Sequence, residues 1–143
     1  MQRQLVLMRH GHAEENRDDY ARRLTEAGRA AARRAGESLA RAGFSPQRIL
    51  TSPAPRARET AELVAEACDY RSALQPEPSL YLGEEGAYAL RLQALPADVS
   101  RVLLVGHNPT LSGLARKLGA PDAELRPAEY TELSLELDAW TDL

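Results

Sequence analysis

Two uninterrupted apolar runs, Leu5-Val6-Leu7-Met8 and Val102-Leu103-Leu104-Val105, pass without a spacer into histidine-bearing segments, Arg9-His10-Gly11 and Gly106-His107-Asn108-Pro109. A short apolar run without alternation reads as a strand covered on both faces, the kind that parallel sheets use. In open α/β sheets the C-terminal ends of such strands border the crevice that binds ligands. The runs therefore constrain the chain to a layered α/β fold with two histidines delivered to strand ends. Gly11 is expected to let the backbone turn sharply there. A third run, Arg48-Ile49-Leu50-Thr51, leads into Ser52-Pro53-Ala54-Pro55-Arg56 and adds an arginine at the start of a helical pattern.

Between these runs the apolar period becomes helical. Thr25 is placed to cap a helix with Ala27, Ala31, Ala35, Leu39 and Ala42 near one face and Gly43 as its stop. Pro55 suits the first turn of a second helix that buries Leu63, Val64 and Ala67. Pro76 and Pro78 interrupt regular structure, and a shorter helix is expected from about Glu84 to Leu95. Asn108 is expected to cap a helix that begins at Pro109 and ends near Gly119. Leu133, Leu135 and Leu137 alternate with Glu132, Ser134 and Glu136, the pattern of a strand with one wet face. Strands alternating with helices predict the α/β class, as a three-layer αβα sandwich around a mostly parallel central sheet. A chain of 143 residues can bury one substantial core, so residues 1–143 are expected to form a single domain, with no internal repeat or linker.

Composition narrows the partners. A net charge of -3 gives no global reason to expect nucleic acid. Lys117 is the only lysine, a bias read as compositional, so only locally placed arginines count as evidence. Cys68 is the only cysteine, which forbids an intrachain disulfide and fits a reducing compartment. As a phosphatase nucleophile it would need an arginine six positions later, where Leu74 stands, so it is read as a packing residue. With neither a signal peptide nor a membrane-length apolar segment visible, a soluble cytoplasmic monomer that does not engage the membrane is expected. Nucleotide-binding glycine loops and the nucleophile elbow are absent, so no organic cofactor is implied.

An imidazole nucleophile, a second imidazole and two fixed guanidinium groups are what phosphoryl transfer through histidine requires. A neutral imidazole nitrogen can attack phosphorus in line, and the resulting phosphohistidine is hydrolysed by water, which splits one difficult displacement into two. On this reading His10 is the nucleophile. Arg9 and Arg56 contact the equatorial phosphoryl oxygens, stabilising charge without a metal, and His107 donates to the same phosphate. Three segments occur in order: Leu7-Met8-Arg9-His10-Gly11, Ser52-Pro53 through Arg56 with Glu59-Thr60-Ala61, and Val105-Gly106-His107-Asn108-Pro109. Together they resemble the histidine phosphatase superfamily over most of residues 4 to 119. The resemblance implies a phosphoglycerate mutase-like fold and the same four roles, and it adds Asn16 as an amide against the phosphate. Arg22-Arg23-Leu24-Thr25 resembles a segment of the compact SixA-like branch, which acts on phosphohistidine proteins; this makes Arg22 a phosphate-binding candidate, with a solvated helix-entry charge as the alternative.

Other readings stand beside these. His10, His12 and His107 could formally make a three-histidine zinc site, but Arg9 and Arg56 in the same crevice would repel a dication. His12 is read as a solvent-facing or rim residue, and Arg29, Arg33 and Arg34 as a solvated helical face. Relatives that cleave phosphate monoesters place a glutamate shortly after a central leucine as proton donor. Here Leu80 is followed by Tyr81-Leu82-Gly83, so Glu84 and Glu85 are the candidate donors, with Glu14 and Glu77 behind them. An imidazole leaving group needs less acid assistance than an alcohol, and the short chain has no long insertion to roof a small substrate. Both points favour a phosphohistidine-bearing protein as partner. A small phosphate ester, handled by a phosphomonoesterase or mutase, is the alternative, and a non-catalytic phosphate-binding module is the other.

Overall fold

The computed structural model describes residues 1–143. β1 (Gln2–Arg9) runs through the interior, and the chain then crosses by α1 (Glu26–Arg41) to β2 (Arg48–Thr51). α2 (Pro55–Ala67) leads out to a two-residue edge strand, β3 (Gln75–Pro76). After the single turn α3 (Ser79–Leu82) and the helix α4 (Glu85–Gln93), β4 (Arg101–Gly106) returns to the sheet, and α5 (Thr110–Lys117) precedes β5 (Tyr130–Glu136). The strand order is β3-β2-β4-β1-β5, parallel except for β5, which pairs antiparallel with β1.

Successive side chains of the apolar runs separate to the two faces of this sheet. Leu5, Leu7, Leu50, Val102 and Leu104 pack with Tyr88, Leu92, Leu111, Leu114 and Trp140, beneath α4, α5 and a short 3₁₀ turn over Trp140–Asp142. Val6, Met8, Ile49, Leu103 and Val105 pack with Leu39, Ala57, Ala61 and Val64 beneath α1 and α2. The result is the expected αβα sandwich. Both runs are fully buried, and each such side chain contributes about 1.5–3 kcal/mol of hydrophobic free energy.

The helices depart from expectation in which residues face inward. Thr25 Oγ1 accepts from the Gly28 N–H (3.0 Å) and Gly43 ends α1 at φ +82°, both as read from the sequence. The inward stripe, however, is Gly28, Ala32, Ala35, Gly36 and Leu39, while Ala27 and Ala42 are exposed. The cause is close packing: a Cβ on Gly36 would lie 2.8 Å from Ala67 Cβ and 3.0 Å from Val64 Cα on α2. Glycine is what lets α1 come this near. On α2 the buried side includes Arg56 and Thr60 with Val64, whereas Leu63 and Ala67 are only half-buried. α5 starts at Thr110, with Pro109 and not Asn108 at the N-cap position; Asn108 lies one residue before it, and its Oδ1 accepts from the Ser112 N–H at 3.1 Å in the first turn. Pro76 lies on the edge strand, where a missing N–H costs least. No helix is long and apolar enough to cross a membrane.

Topology places the site. The chain passes from β1 to β2 and only later inserts β4 between them, so β1 and β4 border a switch point of the sheet. Their parallel register ends with Met8 opposite Val105 and Arg9 opposite Gly106, and the His10 N–H donates to the Gly106 carbonyl (3.2 Å). The residues that follow, His10 and His107, emerge side by side.

Candidate active site

His10 is buried at the end of β1, and its Nδ1 lies 2.7 Å from the carbonyl of Gly11. A carbonyl only accepts, so Nδ1 carries the proton and Nε2 keeps its lone pair. That lone pair accepts from Nε of Arg56 at 3.4 Å. Burial, reinforced by the charges of Arg56 and Arg9 and opposed by the Gly11 hydrogen bond, lowers the His10 pKa to about 4. At neutral pH the ring is uncharged, with its free nitrogen turned to a fixed cation.

The turn that holds His10 works differently from the expectation for Gly11. Gly11 does not adopt a positive φ; a Cβ there would lie 2.8 Å from the Gly28 carbonyl oxygen, so the position is needed for close approach. The contact is reciprocal, because a Cβ on Gly28 would fall 2.1 Å from the His12 carbonyl oxygen. Thr60 ties the same turn to α2, its hydroxyl accepting from the Gly11 N–H (3.0 Å) and donating to the Arg56 carbonyl (2.7 Å).

His107 stands 5.1 Å from His10 between ring centroids, the planes tilted by 59°. Its Nε2 is 2.8 Å from Ser52 Oγ, which also accepts from the Ala54 N–H. Its backbone N–H donates to the Tyr88 hydroxyl (3.2 Å), which donates onward to the Leu80 carbonyl. Gly106 leaves room for that phenol, since a Cβ would come within 2.7 Å of Tyr88 Oη. Burial first, then the neighbouring His10 and Arg56, lowers the His107 pKa to about 3. Arg9 is half-buried; Nη1 donates to the Leu125 carbonyl, while its buried Nε has no partner within the protein. Two neutral imidazoles and two guanidinium groups thus converge where β1, β2 and β4 end. They can bind an oxyanion and present one nucleophilic nitrogen to it.

Sequence reasoning passed over Asp19. Its carboxylate Oδ2 accepts from Arg56 Nη2 (3.0 Å) and from the Tyr81 hydroxyl (2.8 Å), and its backbone carbonyl accepts from Arg56 Nη1 (2.7 Å). Hydrogen bonding by Tyr81, Arg22 and Arg56 outweighs desolvation and lowers the Asp19 pKa to about 2. Tyr81 also stands edge-on to His107 at 5.6 Å and to Tyr20 at 5.0 Å. The signal was weak, for Asp19 sits in the polar, aperiodic stretch before α1, and the partners that tie it to the site, Arg56 and Tyr81, lie 37 and 62 residues away.

The remaining candidates are distributed as follows. Arg22 joins the cluster from outside, with Nη1 on Asp19 Oδ1 (3.2 Å) and Nε on the Glu14 carbonyl (2.8 Å). Asn16 is exposed, and its Oδ1 accepts from the Asp18 N–H (3.0 Å) in a local turn. Glu85 pairs with Lys117 (2.7 Å), and together with exposed Glu84 it lines a surface depression shared with Thr110 and Arg116, which contains none of His10, Arg9, Arg56 or His107. Glu77 pairs with Arg91 at 2.8 Å, and the Glu14 side chain is exposed. His12 is exposed and bonded to Thr25 Oγ1 (3.0 Å), apart from the other two histidines. Cys68 is half-buried beside α1, and burial raises its pKa, opposite to what a nucleophilic thiol needs.

Comparison with known proteins agrees with this geometry. Residues 5–81 match the family model described as the histidine phosphatase superfamily, branch 1. The fold is similar to a structure of the protein histidine phosphatase SixA complexed with tungstate, with a TM-score of 0.83 and 29% identity, covering 90% of this chain and 86% of that one. It is similar also to a chain of Nakamurella multipartitia provisionally assigned as phosphohistidine phosphatase SixA, with a TM-score of 0.81 and 30% identity over 99% of this chain and 89% of that one. An uncharacterized protein of Picosynechococcus sp. is 35% identical, across 80% of this chain and 72% of its own length.

Proposed function

The chain belongs to the histidine phosphatase superfamily, and from that premise we propose that it removes phosphoryl groups from phosphohistidine on a protein, by way of a phosphohistidine on its own His10. The observation that carries the reading is the polarity of the His10 ring, with the proton fixed on Nδ1 by Gly11 and the lone pair of Nε2 turned to Arg56.

In the first step the Nε2 lone pair forms a bond to phosphorus while the substrate P–N bond breaks; its electron pair returns to the substrate ring, which carries a proton on its other nitrogen and so departs as neutral imidazole. In the second step water attacks the phosphorus of the His10 adduct, inorganic phosphate leaves, and His10 returns to its neutral state. Arg9 and Arg56 carry the charge on the equatorial oxygens, and His107, seated on Ser52, serves as the second imidazole contact.

The state of the nearby carboxylates supports this substrate class. The carboxylate beside this cluster is Asp19, held ionised far below neutral pH, while Glu84 and Glu85 face another depression. An alkoxide leaving group would need a protonated donor here, whereas a phosphohistidine ring protonated on its other nitrogen departs as neutral imidazole, whose conjugate acid has a pKa of about 6.5, and needs none. The SixA relatives, one of them carrying the oxyanion tungstate, support the same class.

The test is kcat/KM of the EDTA-treated protein on a phosphohistidine phosphotransfer protein beside a panel of phosphate monoesters, with His10→Ala as control. Preference for the phosphoprotein, abolished in the variant, is expected. Preference for one small ester would overturn the substrate class, and turnover by His10→Ala would overturn the nucleophile.

A further inference from the structure

Each nitrogen of the Arg56 guanidinium already donates once, committing about three of its five N–H groups: Nε to His10 Nε2, Nη1 to the Asp19 carbonyl and Nη2 to the Asp19 carboxylate. A phosphoryl group seated on His10 Nε2 must draw on this same guanidinium, which is 4% exposed and confined at the start of α2. The carboxylate is itself well anchored, on Tyr81 through Oδ2 and on Arg22 through Oδ1. Its segment is pinned in turn by the Tyr20 hydroxyl on the Pro53 carbonyl (3.0 Å).

We infer that Asp19 is an internal anion that competes with phosphate for Arg56 and so weakens the pocket's hold on its phosphate product. The inference rests on the reading of His10 and Arg56 as the phosphate site, and it deepens that reading by assigning a residue that sets affinity. A carboxylate that only oriented Arg56 would act with the opposite sign. Removing an orienting group loosens the clamp and weakens phosphate binding, whereas removing a competitor frees donors, lifts like-charge repulsion and tightens it.

The Asp19 side chain is 58% exposed, so solvent screens the repulsion without abolishing it. It follows that release of inorganic phosphate is faster with Asp19 than without it, because affinity differences of this kind appear mainly in the off-rate.

Calorimetric titration of the full-length protein with inorganic phosphate at neutral pH tests this without any assumption about the organic substrate. Asp19→Asn keeps the shape and loses the charge; Asp19→Ala introduces no new donor. Both are expected to lower the Kd for phosphate by about three- to tenfold, the scale of one partly screened charge a few ångströms from an anion. The gain is expected to vanish in an Arg56→Ala background, since it acts through shared donors. An unchanged or raised Kd in both variants overturns the inference, and so does a gain of equal size without Arg56. In either case the phosphate-site reading stands. If neither the natural protein nor the variants bind phosphate, both readings fall.

Discussion

The 2.7 Å contact between His10 Nδ1 and the Gly11 carbonyl selects the reactive nitrogen before any substrate arrives. Because burial lowers the pKa values of His10 and His107 to about 4 and about 3, both rings are expected to give neutral-imidazole nitrogen NMR shifts from pH 8 down to about 5, with His10 as the Nδ1–H tautomer. A midpoint near 6.5 for either ring would contradict the burial described for it. At Arg56 the forked geometry matters as well as the charge. Arg56→Lys keeps a cation but cannot face His10 and Asp19 at once, and is expected to lower kcat/KM by about 10²-fold, as measured on whichever phosphorylated substrate the protein turns over. Full activity in that variant would remove Arg56 from the charge-stabilising role. At this scale the sequence was legible where chemistry directly follows an apolar run, as at His10 and His107. It was not legible at Asp19 or Tyr81, because a contact made across tens of residues from an aperiodic stretch leaves no local period to read.

Among the elements, α1 shows how much depends on residues without side chains. Gly28 faces the His12 carbonyl and Gly36 faces α2, so a methyl group at either position meets backbone or a packed neighbour. Gly36→Ala is expected to cost about 1–3 kcal/mol by overpacking, measured by urea unfolding, with little change in kcat/KM for the folded protein. Gly28→Ala pushes instead on the turn that sets the His10 ring, and is expected to lower activity as well as stability. Equal effects of the two substitutions on activity would mean that the Gly28 contact does not position the site. The strands were legible because a doubly covered strand has an apolar residue at every place. The α1 face was not, since counting apolar side chains cannot register a stripe whose centre is glycine, and the same count groups Ala27 and Ala42 with Ala35 and Leu39 although both are exposed.

For the molecule as a whole, the depressed imidazole pKa values couple folding to pH. Unfolded histidines titrate near 6.5 and these two at about 4 and about 3, so between those limits the unfolded chain binds more protons and stability falls as pH falls. The contribution is fully present above about pH 6.5 and is lost progressively toward pH 3. Asp19, lowered to about 2, adds a loss of the same sign below about pH 4. His107→Gln removes one titrating group and is expected to flatten the decline between pH 7 and about pH 4.5, as read from urea midpoints; an unaltered slope would mean that His107 is not buried in its neutral form. The strand order also has a consequence in time. During synthesis β1 and β2 leave the ribosome with an empty lane between them, which only β4 fills, and the second histidine follows directly on β4. A nascent chain arrested before Arg101 therefore holds His10, just past β1, and Arg56, on the helix after β2, behind two strands that do not pair, and is expected to capture no phosphate: the enzyme becomes chemically competent in one late step of its own assembly.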